Sequence, residues 1–385
     1  MITGDAAYIK QLNRGLLLRE ISDQKKISRA ALSKVTGLNK ATISAQVAQL
    51  LEEELIYETE AEHYAVGRRP IMLSINEKAG YVLGADLDKG AILYHVSDLA
   101  GNTVLNEKKI IETEDYEAVL GILAADIEMY TSRFAEATYG LIRATIGIHG
   151  TVSNDEEILF VPKLGWRRKS IKSDLQTRVS IPLTFENNAN LSAYAERVFS
   201  HQQSDHLMTV ILSSGIGSGM IIHGELEKGH HGYAGEMGHM IIYPEGRPCK
   251  CGNSGCWERY ASESSFFDHL AEELGESRLT APDVQQLLED GNSTAQKHMD
   301  SFIRNVSIGL NNVINLYNPE TLVLNSDVLS WCPRAIERIK DNLVSNVSTC
   351  EEICLSRLGG NSCVLGACAL SIQTFLNISH LTLSN

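Results

Sequence analysis

The stretch that most restricts this chain is GHMIIYPEGRPCKCGNSGCWE, residues 238–258, which packs His239, Cys249, Cys251 and Cys256 into a run too short to own a core. Imidazole and thiolate are preferred zinc ligands, and four such donors close a tetrahedral structural site with no open position for water. The competing account is that reduced cysteines merely pack. However, Pro248, Lys250, Gly252, Asn253 and Gly255 make a poor core and a good metal knuckle. Whatever the chain folds into must therefore carry a metal-stapled loop inserted between ordinary elements. Cys332, Cys350, Cys354, Cys363 and Cys368 show no comparable spacing and read as buried hydrophobes.

Two acids bracket the knuckle. Glu236 lies three positions before His239, and Glu258 lies two after Cys256. Folding the loop around a metal gathers two carboxylates and an imidazole at one locus, where they accept and donate hydrogen bonds to hydroxyl groups. A carbohydrate presents such hydroxyls.

The flanking sequence sets the architecture. With 385 residues the chain exceeds one ordinary core, and 43% hydrophobic residues without a long apolar run describe a globular protein with no membrane span. The opening MITGDAAYIKQLNRG has no apolar signal core, so a cytoplasmic, reducing setting is expected. Charge is uneven: residues 1–51 carry eight Lys/Arg against three Asp/Glu, a surplus of five, while the net −14 of the whole leaves −19 on the rest. One end suits a polyanion that the bulk repels.

That basic end reads as three short helices. Ile9, Leu12, Leu16 and Leu17 recur at helical spacing up to Ile21; Ser28 caps a second helix that Gly37 breaks; Asn39 caps a third. In the third helix Ile43, Val47, Leu50 and Leu51 face inward, leaving Lys40, Thr42, Ser44 and, at the flank, Gln46 to meet DNA in the major groove. Residues 55–75 form two β-rich stretches around a polar middle, read as a winged hairpin. Arg68 and Arg69 near its tip suit a narrow minor groove, or else a solvated turn. From residue 79 two strand-rich beginnings, at 81–104 and 208–229, are each followed by helices, which predicts duplicated α/β lobes with a ligand cleft.

The Glu236-Met-Gly-His239 stretch, the Cys249-to-Glu258 run, FENNAN at 185–190 and VPKLGW at 161–166 together resemble the ROK family of repressors and sugar kinases, over nearly the whole chain, and most closely its xylose repressor branch. The resemblance implies a winged helix-turn-helix at 1–78 and an actin-like, sugar kinase/ribonuclease H-like two-lobed domain at 79–385. Lobe one would span about 79–187 plus 366–385, and lobe two about 188–365. It also implies structural zinc on His239, Cys249, Cys251 and Cys256, and sugar contacts from Asn187, Asn188, Glu236, His239 and Glu258.

Three departures from the kinases of that family point away from catalysis. The general base of their E-N-D-A-N motif is Asn188 here, and an amide cannot take up the proton of an attacking hydroxyl. Their phosphate loop D-x-G-G-T reads Asp86-Leu87-Asp88-Lys89-Gly90, and the adenosine-side G-G reads Asn325-Ser326. His149 and Lys163 also replace residues usual in the family, and Lys163 would favour a hydroxyl-rich or anionic ligand. The expectation is a non-enzymatic, sugar-responsive repressor that binds operator DNA as a homodimer or higher homo-oligomer. The alternatives are an ATP-dependent sugar kinase with a DNA-binding extension, or a zinc-stapled binding protein acting through protein contacts.

Overall fold

The structure is a computed structural model that describes residues 6–60, 70–347 and 349–383. It divides into two compact units, one of residues 1–191 with 363–385 and one of residues 192–362.

The first unit opens with helix α1 (Ala6–Gln24), strand β1 (Ile27–Ser28), helices α2 (Arg29–Thr36) and α3 (Lys40–Glu52), and strands β2 (Ile56–Glu60) and β3 (Ile71–Ile75). Local chemistry fixes the boundaries. The Ser28 hydroxyl accepts the Ala31 amide at 3.2 Å, and the Asn39 side chain accepts the Thr42 amide at 2.9 Å. Each thereby satisfies one of the amides that a helix start leaves bare. Gly37 ends α2 at φ +71°, the left-handed conformation that a Cβ would strain. Leu17, Leu18, Ile21, Leu32, Ile43, Val47 and Leu50 are buried where the three helices meet. Ile9 and Leu12, which share the helical spacing of Leu16 and Leu17, are about half exposed, at 50% and 54%. Strands β2 and β3 pair antiparallel, with β1 on the other side of β3. Arg68 and Arg69 lie outside the described residues.

These helices are docked on the body of their unit. The Tyr139 hydroxyl donates to the Glu53 carbonyl at 2.8 Å, and the Thr138 hydroxyl to Glu54 at 2.7 Å. Gly15 in α1 lies so close to the Asn377 carbonyl that a Cβ there would sit 2.6 Å from it.

The body follows as β4 (Tyr81–Asp88), β5 (Ala91–Asp98), β6 (Thr103–Ile110), α4 (Tyr116–Arg133), β7 (Leu141–Ile148), β8 (Thr151–Val152), β9 (Ile158–Val161), β10 (Trp166–Lys169), α5 (Ile171–Gln176), β11 (Leu183–Asn187) and α6 (Asn188–Ala195). Its main sheet has the order β11-β7-β4-β5-β6, with β4, β5 and β6 antiparallel and β7 and β11 parallel to β4.

The second unit contains β12 (His206–Leu212), β13 (Ile216–Ile222), β14 (Glu225–Leu226), α7 (Glu258–Ala261), α8 (Glu263–Leu274), α9 (Ala281–Glu289), α10 (Ser293–Tyr317), β15 (Thr321–Asn325), α11 (Asp327–Ser330), α12 (Ala335–Asn342) and β16 (Glu352–Leu355). Its sheet runs β16-β15-β12-β13-β14, again with antiparallel strands on one side of the first strand and parallel strands on the other. The topology of the first sheet is thus repeated, as the duplicated strand-rich beginnings predict. Helix α13 (Ser362–Leu376) returns to the first unit, where Gly366 is so close to Leu191 that a Cβ would lie 1.9 Å from its carbonyl oxygen.

Candidate functional site

The knuckle of the second unit is a tight loop closed by two isolated bridges, Ile241 with Cys256 and Pro248 with Ser254. Gly255 has to be glycine: it has φ +85°, and a Cβ would fall 1.7 Å from the Tyr243 carbonyl oxygen. The loop is anchored beneath by Trp257, which is fully buried and donates its indole N–H to the Asn305 carbonyl of α10 at 2.8 Å. Gly309, one turn along α10, leaves room for the indole ring.

On this anchor the ligand atoms of His239, Cys249, Cys251 and Cys256 all lie within 4.8 Å of one another. His239 Nδ1 is 3.6 Å from Cys249 Sγ, and Cys251 Sγ is 3.6 Å from Cys256 Sγ. A tetrahedral zinc with ordinary bond lengths spaces its ligands by about 3.6 Å for nitrogen to sulfur and about 3.8 Å for sulfur to sulfur. Both separations match that spacing, so the cluster could hold a zinc-sized ion. Burial, together with the hydrogen bond from its thiol to Glu258 Oε1 at 3.0 Å, pushes the Cys249 thiol well above its ordinary range. Thiols crowded against a carboxylate in this way become good ligands once a cation offsets the negative charge.

The acids fall on opposite sides of the imidazole. Glu258 Oε1 is 3.6 Å from Nδ1, and Glu236 Oε2 is 3.9 Å from Nε2. Glu236 is set in position by flanking glycines: a Cβ at Gly235 would lie 2.2 Å from the Ser218 carbonyl, and one at Gly238 would lie 2.4 Å from the Ile216 carbonyl. The loop therefore lies directly on β13. His239 Nδ1 is turned toward Cys249 and Glu258, and Nε2 toward Glu236; carboxylates and an imidazole are groups that can hydrogen-bond hydroxyls. The glycine-rich turn 213–219 belongs to the same locus. It forms the β12–β13 hairpin, and Gly215 makes room for Glu258 Oε2.

In the first unit Asn187 and Asn188 stand at the end of β11 and the start of α6. The Asn187 amide donates to the Gly150 carbonyl at 2.8 Å, and its oxygen accepts the Ala189 amide at 2.7 Å. It therefore braces the loop after β7 as well as starting the helix. The family departures meet here. His149 Nε2 is 2.7 Å from Asp86 Oδ1, and Lys163 Nζ donates to both oxygens of Asp88 at 2.7 Å each. Lys163 is thus neutralised by the protein, and the ligand-attracting charge expected of it is already spent. Burial alone would raise Asp88, but His149 and Lys163 outweigh it and hold its carboxyl below the usual range. Burial would lower His149, but Asp86 and Asp88 outweigh it and raise it.

The adenosine-side substitution in the second unit is also filled from within. The Asn325 amide donates to the Gly359 carbonyl at 2.9 Å, and the Ser326 hydroxyl donates to Glu263 Oε1 at 2.7 Å. The same carboxylate oxygen accepts the Val328 amide at 3.0 Å. It thereby occupies the start of α11, where backbone amides would otherwise be free for an anion.

Among the DNA candidates, Lys40 and Ser44 are exposed and Thr42 is half-buried on α3. Gln46 does not share that face. It is buried, and its amide donates to the Lys10 carbonyl of α1 at 3.2 Å, so the DNA-contacting role expected of it is withdrawn. One helical turn inward from the exposed stripe, a long polar side chain is used to close a gap between helices.

A ROK family model matches residues 82–374. The chain belongs to the ROK family. Over 383 residues it is 35% identical to the xylose repressor of Bacillus subtilis strain 168, covering 98% of this chain and 99% of that one. It is similar to a solved ROK family transcriptional regulator, described as a homologue of the Escherichia coli MLC protein, with a TM-score of 0.83, 25% identity and coverage of 96% and 97%. A ROK family glucokinase from Streptomyces griseus, solved with glucose and AMPPNP, matches with a TM-score of 0.68 at 24% identity, over 76% of this chain and all of that one. The ROK fold of the body is thus shared with kinases, and the match to the regulator extends over the N-terminal helices as well.

Proposed function

We propose that this ROK protein is a sugar-responsive transcriptional repressor of carbohydrate-utilisation genes, acting in the cytoplasm and without kinase activity. The observation that carries this reading is chemical: Glu236 and Glu258 flank His239, as hydroxyl-binding acids would, while Lys163 pairs with Asp88 and Ser326 with Glu263 in the segments where the kinases of the family carry their phosphate and adenosine motifs. Full-length similarity to a xylose repressor supports it and makes a xylose-type sugar the first candidate effector.

In this proposal His239, Cys249, Cys251 and Cys256 hold a structural zinc that supplies no chemistry beyond fixing the loop. Glu236, Glu258 and His239 Nε2 contact the sugar. Asn188 donates and accepts hydrogen bonds but takes no proton. Lys40, Thr42 and Ser44 of α3, with Arg68 and Arg69, contact operator DNA. The protein acts as a homodimer, since two reading heads on a palindrome sit about 34–36 Å apart, or a multiple of that. Sugar acts by favouring one conformation; a full switch takes about 5.5 kcal/mol of differential binding.

The test pairs calorimetry against a panel of aldoses with gel shifts on the promoter beside the coding region. Saturable binding of an aldose that changes the operator affinity is expected, and Lys40→Ala should weaken the complex and reduce its salt slope by about one. ATP turnover with the bound sugar would replace this reading with the kinase. A specific sugar site with no operator complex would leave a protein-contact regulator.

A further inference from the structure

A second cluster of metal-binding side chains stands in the second unit, outside the knuckle. Glu196–Ser200 is a π-helical turn in which the His201 amide bonds back to the Glu196 carbonyl at 2.8 Å. Such a turn, five residues per bond, brings the side chains at its two ends together, and π-turns are frequent at functional sites. Facing it is β16, the edge strand of the sheet, on which Glu352 and Cys354 are two residues apart and share a face.

The ligand atoms of His201, Glu352 and Cys354 all lie within 4.8 Å of one another. His201 Nδ1 is 3.6 Å from Glu352 Oε2, and His201 Nε2 is 3.8 Å from Cys354 Sγ. Behind this trio Glu196 is fully buried, with Ser200 beside its carboxylate and its Oε2 facing His201 Nε2 at 3.9 Å. Its other oxygen is satisfied by the Ser356 hydroxyl.

We infer that His201, Glu352 and Cys354, with Glu196 behind them, form a second site for a divalent transition metal of the zinc class. One thiolate, one imidazole and carboxylate oxygens are the donor set of Zn²⁺ and Co²⁺ and a poor one for Mg²⁺ or Ca²⁺. The site differs from the knuckle in kind. The knuckle ligands lie within 18 residues of one another in one loop, whereas this site joins a π-turn to a strand 153 positions away. Glu352 is half-exposed, so the ion can exchange with solvent. An ion here would tie the edge strand to the end of α6 and protect an otherwise open edge. Cys354, which sequence spacing assigns to the buried hydrophobes, becomes a ligand instead.

The test is metal stoichiometry on the full chain, loaded with zinc chloride, freed of loose ion by gel filtration and measured by elemental analysis. Two equivalents per chain are expected, falling to one in His201→Ala. Because His201 packs inside the unit, Glu352→Ala, at a half-exposed position, serves as the second variant. It should weaken the second equivalent by at least about tenfold, the loss that follows removal of even an outer-shell partner, with the first unaffected. Cobalt titration gives a separate readout, since Cys354→Ser should remove one of four thiolate-to-cobalt absorption contributions and leave the three of the knuckle. A wild-type chain that saturates at one zinc, or a second equivalent undiminished in both His201→Ala and Glu352→Ala, would overturn the inference.

Discussion

Replacing Gly309 by alanine sets two known effects against each other, and the structure decides between them. In the interior of α10 alanine is the better helix former by about 0.5–1 kcal/mol, so a Gly→Ala change with free space would stabilise. At Gly309 the added methyl would lie 2.0–2.4 Å from three atoms of the Trp257 indole, which is fully buried and tethered to Asn305. Overpacking of this kind costs about 1–3 kcal/mol. The net should be about 1–2 kcal/mol of destabilisation, a fall in the melting temperature of the second unit of about 2–8 °C for a unit of this size. Trp257 immediately precedes Glu258, so relief of the clash shifts that carboxylate. Loss of one hydrogen bond to a charged group is worth about 1.5–3 kcal/mol, about 10- to 150-fold in sugar affinity. Scanning calorimetry, sugar titration and zinc content measured on one preparation check this. A variant that melts at or above the wild type and binds sugar equally well would refute the claim that Trp257 positions Glu258.

Three further outcomes are expected. Because the folded pKa of His149 is raised, its imidazolium contribution is fully present below about pH 6.5 and is lost as pH rises through the folded value. Asp88, lowered in the fold, contributes above about pH 3.9 and loses this only as pH falls through its folded value. Thermal melts from pH 5 to 9 should show the first unit weakening on the alkaline side in wild type and not in His149→Gln, and parallel profiles would contradict the assignment. Asn188→Asp restores a proton acceptor but leaves Lys163 on Asp88 and Glu263 on Ser326, so a coupled assay should detect no ATP turnover. Asn39→Ala removes the cap of α3 and should cost about 1 kcal/mol, read as a lower melting temperature together with weaker operator binding; unchanged values for both would show the cap to be idle.

Several elements were legible because their causes are local. Ser28, Gly37 and Asn39 mark the helix boundaries through a capping oxygen or a left-handed turn, each within three residues of what it controls. The gathering of His239, Cys249, Cys251 and Cys256 is legible for the same reason, since a short loop with glycines keeps them close. That position 188 carries an amide and not a carboxylate is a matter of residue identity alone.

Other features depend on partners distant in the chain. Helical periodicity places Gln46 at the edge of the exposed stripe, and only the packing of α1 turns it inward onto Lys10. Lys163 has the look of a ligand-facing lysine until the small β8–β10 sheet brings it to Asp88, 75 positions earlier. His201 and Cys354 have no sequence relation at all until a π-turn and an edge strand face each other. The amino-acid order therefore settled the helix caps and the His239–Cys249–Cys251–Cys256 cluster, because backbone hydrogen bonding and short-loop geometry act over a few residues. Tertiary structure decided which charges are free and which are spent, because a charge is neutralised by whatever group the fold brings within about 4 Å, however far away it lies along the chain.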